Sequence, residues 1–405
     1  MRSAASLRAP ASLLFIYILP MYPLPVGTHL TAPAALTPHK TQALNHHPDV
    51  AVKRQAEQWL KSFQESADAW SVCDRLLHDP SSTPEVHFLC SQTLKHKVQR
   101  DFDDLPAGAA ASLRDSLITL LLKYGEGPVR TQLALAVASL AAHLPAAEWG
   151  GVGALQWLAT RMARDGAGHT ALPCLLELLT VFPQEAGSYR PAVRPDRRRA
   201  FAKELILASQ SAIHFIAACV QQLPDTTHNK HERVLDAYAA WVRLSQGRLN
   251  ADDPAVELPQ IDAATLALHP LTALALESLG RYDTNESEFD SAVDAVCELV
   301  RATVTESASA AVEAPGGIPS ASMPLVQLLV PRVMALRPAL NAAAGSQGAD
   351  DEIAKGIARL FAEVGEAYVN LIATVGTFLP APNSMSVQPC PLLMSAPHCS
   401  NMLWL

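Results

Sequence analysis

Apolar residues recur at helical spacing from Val52 onward. Val52, Ala56, Trp59, Leu60 and Phe63 fall at i, i+4, i+7, i+8 and i+11, one stripe of a helix, while Lys53, Arg54, Glu57, Gln58 and Lys61 lie elsewhere. That pattern predicts a helix over 49–64 with Asp49 as its N-cap. Val86, Leu89, Cys90, Leu94 and Val98 form the same stripe in a second long helix. Val129, Leu133, Val137 and Leu140 form it in a third, and Pro84 and Pro128 sit where a helix start tolerates a missing N–H.

Extended along the chain, the pattern predicts helices in pairs, separated by breaks rich in Pro, Gly and Asp. The first pair is 41–46 with 49–64. The next are 67–78 with 83–100, 109–124 with 128–143, and 148–164 with 169–181. Second helices therefore start near 49, 83, 128 and 169, at intervals of 34, 45 and 41, which is a helical-repeat period. Beyond Pro183 the units lengthen: a helix from Asp196 to Val220 with 231–244, then 263–279 with 285–304, then 324–342 with 350–375. A pair of this kind hides its apolar stripe only against its neighbours. The expected fold is all-α, an α-solenoid of antiparallel helix pairs, with second helices lining one side. The expected organisation is an extension over 1–40, four pairs over 41–183, three longer pairs over 184–375, and an irregular tail over 376–405.

Composition sharpens this. Hydrophobic residues make up 49% of 405, enough for a sizeable core, whereas aromatics are only 6%, so strands are expected to be few or absent. The net charge of −8 argues against direct nucleic-acid binding and suits basic partners. Seven cysteines are scattered without C-x₂-C spacing, five of them inside apolar stripes, as expected of reduced thiols acting as small hydrophobes. The first forty residues pull the other way. They hold Arg2 and Arg8, no acid, and the run Leu13 to Leu19, which is too short to span a bilayer. A targeting peptide for an organelle or for secretion would have this character; an extension ahead of a domain beginning near Thr41 is the reading we prefer.

No catalytic constellation emerges. P-loop, H-E-x-x-H and G-x-S-x-G motifs are missing, and neither His46-His47 nor the Cys390 to Cys399 stretch has metal-ligand spacing, so no catalytic residue, metal or cofactor is expected.

Gln58-Trp59-Leu60 followed by Asp68-Ala69-Trp70, then Ser91-Gln92-Thr93-Leu94-Lys95-His96-Lys97-Val98-Gln99, resemble the importin-β (karyopherin) family, and most closely its transportin-SR branch. The segments 111–117, 131–136 and 175–183 and the Arg197-Arg198-Arg199 helix start extend the likeness, which weakens toward Val375. The resemblance implies a HEAT-repeat nuclear import receptor that shuttles between cytoplasm and nucleus. Such a receptor carries cargo, in this branch typically Arg/Ser-domain splicing factors, past nucleoporins, and releases it when Ran loaded with GTP binds the first repeats. Carried onto this chain, the Ran candidates are His87, Gln92, Lys95, His96 and Gln99 of the second repeat and Arg130 of the third. Those of the second repeat are expected on the side opposite Leu94 and Val98. Arg197, Arg198 and Arg199 are a candidate contact for an acidic partner, although three cations at a helix start oppose its dipole. No membrane partner is expected. Family members are more than twice this length, and the cargo-gripping parts resemble repeats absent here, so a Ran-binding piece without cargo capture is one expectation. A static HEAT scaffold indifferent to Ran is the rival reading.

Overall fold

The structure, a computed structural model, describes residues 50–105, 108–165, 168–224, 227, 229–246, 261–305, 318, 320–345 and 351–377. The expected helix 41–46, the Asp49 cap, the extension over 1–40 and the tail beyond 377 lie outside them. The chain divides into two compact units between Ala202 and Lys203. The secondary structure of the described residues is helical throughout, without a strand.

The first unit contains α1 Val50–Glu65, α2 Asp68–His78, α3 Pro84–Arg100, α4 Ala109–Lys123, α5 Pro128–His143, α6 Ala154–Asp165 and α7 Gly168–Ala186, and the first turns of α8 Pro195–Gln222. The expected stripes are inside: Leu60, Val86, Leu89, Cys90, Leu94, Val98, Leu133, Val137 and Leu140 are all buried. Short connections reverse the chain within each pair. Second helices α3, α5 and α7 pack successively on one another, and first helices α2, α4 and α6 form the other layer. This is an α-solenoid of helix pairs.

Successive helices of one layer run parallel, so their C-terminal ends gather on one side, and side chains from later repeats cover their free carbonyls. Lys97 of α3 donates to the Gln64 carbonyl of α1 at 3.2 Å. Lys123 and Tyr124 donate to the Leu77 carbonyl at the end of α2, at 2.9 and 2.7 Å. Arg197 donates to Ala141 and Leu144 at the end of α5, at 3.0 and 2.6 Å. Cations at helix C-termini also meet the negative end of the dipole.

One expected helix of this unit is divided. In place of a helix over 148–164, a single 3-10 turn, Ala146–Trp149, is followed by Gly150, Gly151 and Gly153 with φ of 66°, 76° and 84°. That left-handed backbone is open to glycine, and α6 begins only at Ala154.

The second unit comprises the rest of α8, then α9 Lys230–Ser245, α10 Ala263–Leu268, α11 Pro270–Leu279, α12 Glu286–Thr305, α13 Met323–Met334, α14 Arg337–Gly345 and α15 Asp351–Thr377. Here α9, α12 and α15 are the parallel inner layer, joined by rungs of charge. Glu298 of α12 accepts from Arg243 of α9 at 2.9 Å and from Arg301 at 2.7 Å, and Arg301 also pairs with Glu363 of α15. Two expected helices are broken. The span 263–279 splits at His269-Pro270, where proline lacks the N–H that would continue α10 and His269 Nδ1 instead caps the Leu271 N–H at 3.3 Å. The span 324–342 splits between Met334 and Arg337. By length and mean hydropathy, Pro195–Gln222 and Ser320–Ala342 are long and apolar enough to cross a membrane. Phe201, Leu205, Ile213 and Ile216 in the first are buried within protein.

The α12 to α15 contact is close at one point. A Cβ on Gly356 of α15 would stand 2.9 Å from Phe289 Cε1. Phe289 is fully buried and lies edge-on to Tyr282, so its ring has little room to move. Alanine favours a helix over glycine by about 1 kcal/mol, but overpacking costs about 1–3 kcal/mol. Gly356→Ala is therefore expected to lower unfolding stability by about 1 kcal/mol, measured by chemical denaturation; an increase would show that the two helices part easily.

Candidate protein-interaction site

The six residues assigned to the second and third repeats do not share one open face. Gln92 and Lys95 are half-buried and His96 is exposed, forming a stripe with exposed Arg100 along α3. His87 is turned to the loop before α3, its Nε2 3.2 Å from the Asp79 carbonyl and its ring 5.2 Å from that of Tyr124. Gln99 and Arg130 are each only 4% exposed, which corrects the expectation that they stand free. Helical spacing alone places Gln99 with the polar side of α3, but the neighbouring second helices close over its end. Gln99 Nε2 donates to Glu185 of α7 at 3.3 Å, and Ser139 of α5 donates to the same carboxylate at 2.8 Å. Arg130 pairs with Glu126 one turn away at 3.3 Å.

The Gln99, Ser139 and Glu185 cluster ties three second helices together at their C-terminal ends. Burial pushes the Glu185 carboxyl above the usual carboxylate range, against the hydrogen bonds from Ser139 and Gln99 and the charges of Arg190 and Lys95. Burial lowers the Lys95 ammonium, and the Arg190 charge lowers it further.

His96 is pushed down to about 4 by partial burial and by the cations Lys95, Arg100 and Arg190. The sign follows. Between an ordinary imidazole value of about 6.5 and about 4 the unfolded chain binds a proton that the folded chain refuses, so this group erodes stability as pH falls through that window. The expected result is a His96 titration near pH 4 by NMR, and a flatter stability profile in that window for His96→Gln; titration near 6.5 would remove the cationic environment from the account.

The arginine cluster is not a common basic face. Arg197 points inward to cap α5, with its guanidinium carbon 5.9 Å from the Phe201 ring centroid. Arg198 donates to the Pro191 carbonyl at 2.9 Å and stacks on Tyr189. Arg199 is exposed and pairs with Asp196. Opposition to the α8 dipole is thereby relieved, since one cation serves another helix's C-terminus and Asp196 occupies the first turn. Spacing did not reveal two contributors, Arg190 and Glu185, because a loop and a neighbouring helix bring them to α3. Among the described residues no group of His, Cys, Asp and Glu is arranged to hold a metal.

Stacked helix pairs, with an open polar stripe on α3, define a helical-repeat protein. Residues 56–123 match the family model for the importin-beta N-terminal domain, and residues 126–296 match that for exportin 1-like protein. Transportin MOS14 of Arabidopsis thaliana is 43% identical over 334 residues, covering 82% of this chain and 31% of that protein. The mRNA transport regulator MTR10 of Saccharomyces cerevisiae is 27% identical over 335 residues, covering 79% and 31%. Importin-13 of Homo sapiens is 27% identical over 330 residues, covering 80% and 30%. The chain belongs to the importin-β (karyopherin) family of nuclear transport proteins, and it spans about a third of the length of these curated relatives.

Proposed function

We propose that this chain serves nuclear import as a receptor of the transportin-SR branch. It binds Ran in the GTP form through its first repeats, moves between cytoplasm and nucleus past nucleoporins, and takes Arg/Ser-domain splicing factors as cargo. The observation that carries the reading is the match of residues 56–123 to the importin-beta N-terminal domain, together with the open stripe of Gln92, Lys95 and His96 on that same stretch. Of the six Ran candidates these three are the direct contacts in this proposal. His87, Gln99 and Arg130 hold the repeats in place behind them.

Charge in the second unit supports a basic cargo. Asp290 is held above the usual carboxylate range by burial and by Glu286, Glu352 and Asp294 around it; Asp294 pairs with Arg359 and Glu352 with Lys355, so exposed Glu286 and Asp290 are the charges that arginine-rich sequence would meet.

Hydrogen exchange of the chain, alone and with Ran bound to a non-hydrolysable GTP analogue, tests the placement. Slowed exchange over 88–100 is the expected result. Protection confined to the second unit, or no change anywhere, would contradict it.

A further inference from the structure

The ten residues from Arg190 to Arg199 carry five arginines and one carboxylate, Asp196. Asp196 is used by Arg199, and Arg197 is turned inward. Arg198 lies 4.7 Å from the ring centroid of Tyr189, whose side chain is 85% exposed. Arg190 and Arg194 are exposed, and among the described residues no ion pair engages either. This loop does not stand apart from the helices. The Ala192 N–H donates to the Gln99 carbonyl, which seats the loop against the C-terminal end of α3 beside exposed Arg100 and half-buried Lys95, also without an ion pair.

Cations gathered in this way repel one another, and a protein ordinarily intersperses them with acids. The whole chain has an excess of acids, with a net charge of −8, yet the one acid between Arg190 and Arg199, exposed Asp196, is taken up by Arg199. Glu185 is buried and accepts its hydrogen bonds from Ser139 and Gln99 rather than from a cation of this cluster. The unmet charge points outward.

We propose that Lys95, Arg100, Tyr189, Arg190, Arg194 and Arg198 form a docking surface for an acidic, Asp- and Glu-rich segment of a partner protein. Arginine forks donate paired hydrogen bonds to carboxylates. Tyr189, propped by Arg198, offers a flat apolar surface against which a peptide backbone lies. A single aromatic does not make the repeated stacking platform that single-stranded nucleic acid uses, and the acidic chain as a whole repels a polyanion. The surface shares only Lys95 with the stripe proposed for Ran. Its occupant is defined by chemistry alone, so the inference fails or holds separately from the transport reading.

The test is fluorescence anisotropy of the full chain with a labelled oligoglutamate peptide at low salt. The double variant Arg190→Glu with Arg194→Glu is compared with Lys61→Glu with Arg75→Glu, which makes the same charge change at exposed positions on α1 and α2. All four side chains are exposed, so circular dichroism is expected to show both variants folded. The expected result is binding that weakens at least about tenfold in the first variant and less than about twofold in the second. Equal loss in both variants, no binding of oligoglutamate by the folded chain, or preference for single-stranded RNA over the peptide would each overturn the proposal.

Discussion

Lys97→Ala is expected to lower the stability of the first unit by about 3 kcal/mol, because it removes charge-assisted hydrogen bonds worth about 1.5–3 kcal/mol and leaves a partly buried carbonyl without its donor. Lys97 is 2% exposed. Its ammonium donates to the Gln64 carbonyl at 3.2 Å and to Asp101 at 3.0 Å, and stands 5.3 Å from the Trp70 ring centroid. One side chain therefore closes the end of α1, holds the end of α3 and packs on α2. Lys97→Met keeps the stem and is expected to lose about half as much, whereas Lys61→Ala, on the exposed side of α1, is expected to fall within about 0.5 kcal/mol of the parent. Urea denaturation of the three variants measures this order. A neutral Lys97→Ala would mean that α1 is not held by its side chain.

The second large effect is expected at Glu298. This carboxylate is 1% exposed and accepts from Arg243 and Arg301, one on each side, in the inner layer of the second unit. Removing one partner of a buried ionic group costs about 3–5 kcal/mol when the charges left behind are fully enclosed. Here Arg243 is half exposed and Arg301 keeps Glu363, so water and the remaining acid recover part of the loss. Glu298→Ala is expected to cost about 2–3 kcal/mol, below that enclosed limit. Glu298→Gln retains hydrogen bonding without charge and is expected to cost about half of that. Thermal unfolding of both variants, with Glu363→Ala alone and combined with Glu298→Ala, separates the shared network from a single pair; strictly additive losses would show that the rungs act independently.

The helices were legible because each must bury one stripe, and Leu94, Val98, Leu133 and Val137 announce that stripe by spacing alone. Their breaks were less legible. Three glycines between Trp149 and Ala154 set left-handed turns that a hydrophobic count passes over, and Pro270 starts a new helix where the apolar run continues without interruption. The site was half legible for a related reason. Helical spacing sorts residues around one axis, so it separates Lys95 and His96 from Leu94. It does not say which polar positions neighbouring repeats cover, and Gln99 went under for that reason, while Arg130 turns back onto Glu126 of its own repeat. Arg190, Glu185 and the inward turn of Arg197 depend on contacts between residues far apart in sequence. An unbroken arginine run therefore looks like one surface and divides into a cap, a stack and an exposed pair.

The central claim is that the first repeats recognise a nucleotide state. Its most direct measurement is the affinity of this chain for Ran loaded with GTP and with GDP, with Lys95→Glu as the variant that reverses charge on the open stripe of α3. The account predicts binding selective for the GTP form by at least about tenfold and lost in the variant. Equal binding of both forms, or none by the folded chain, would contradict it and leave a helical-repeat scaffold without Ran dependence.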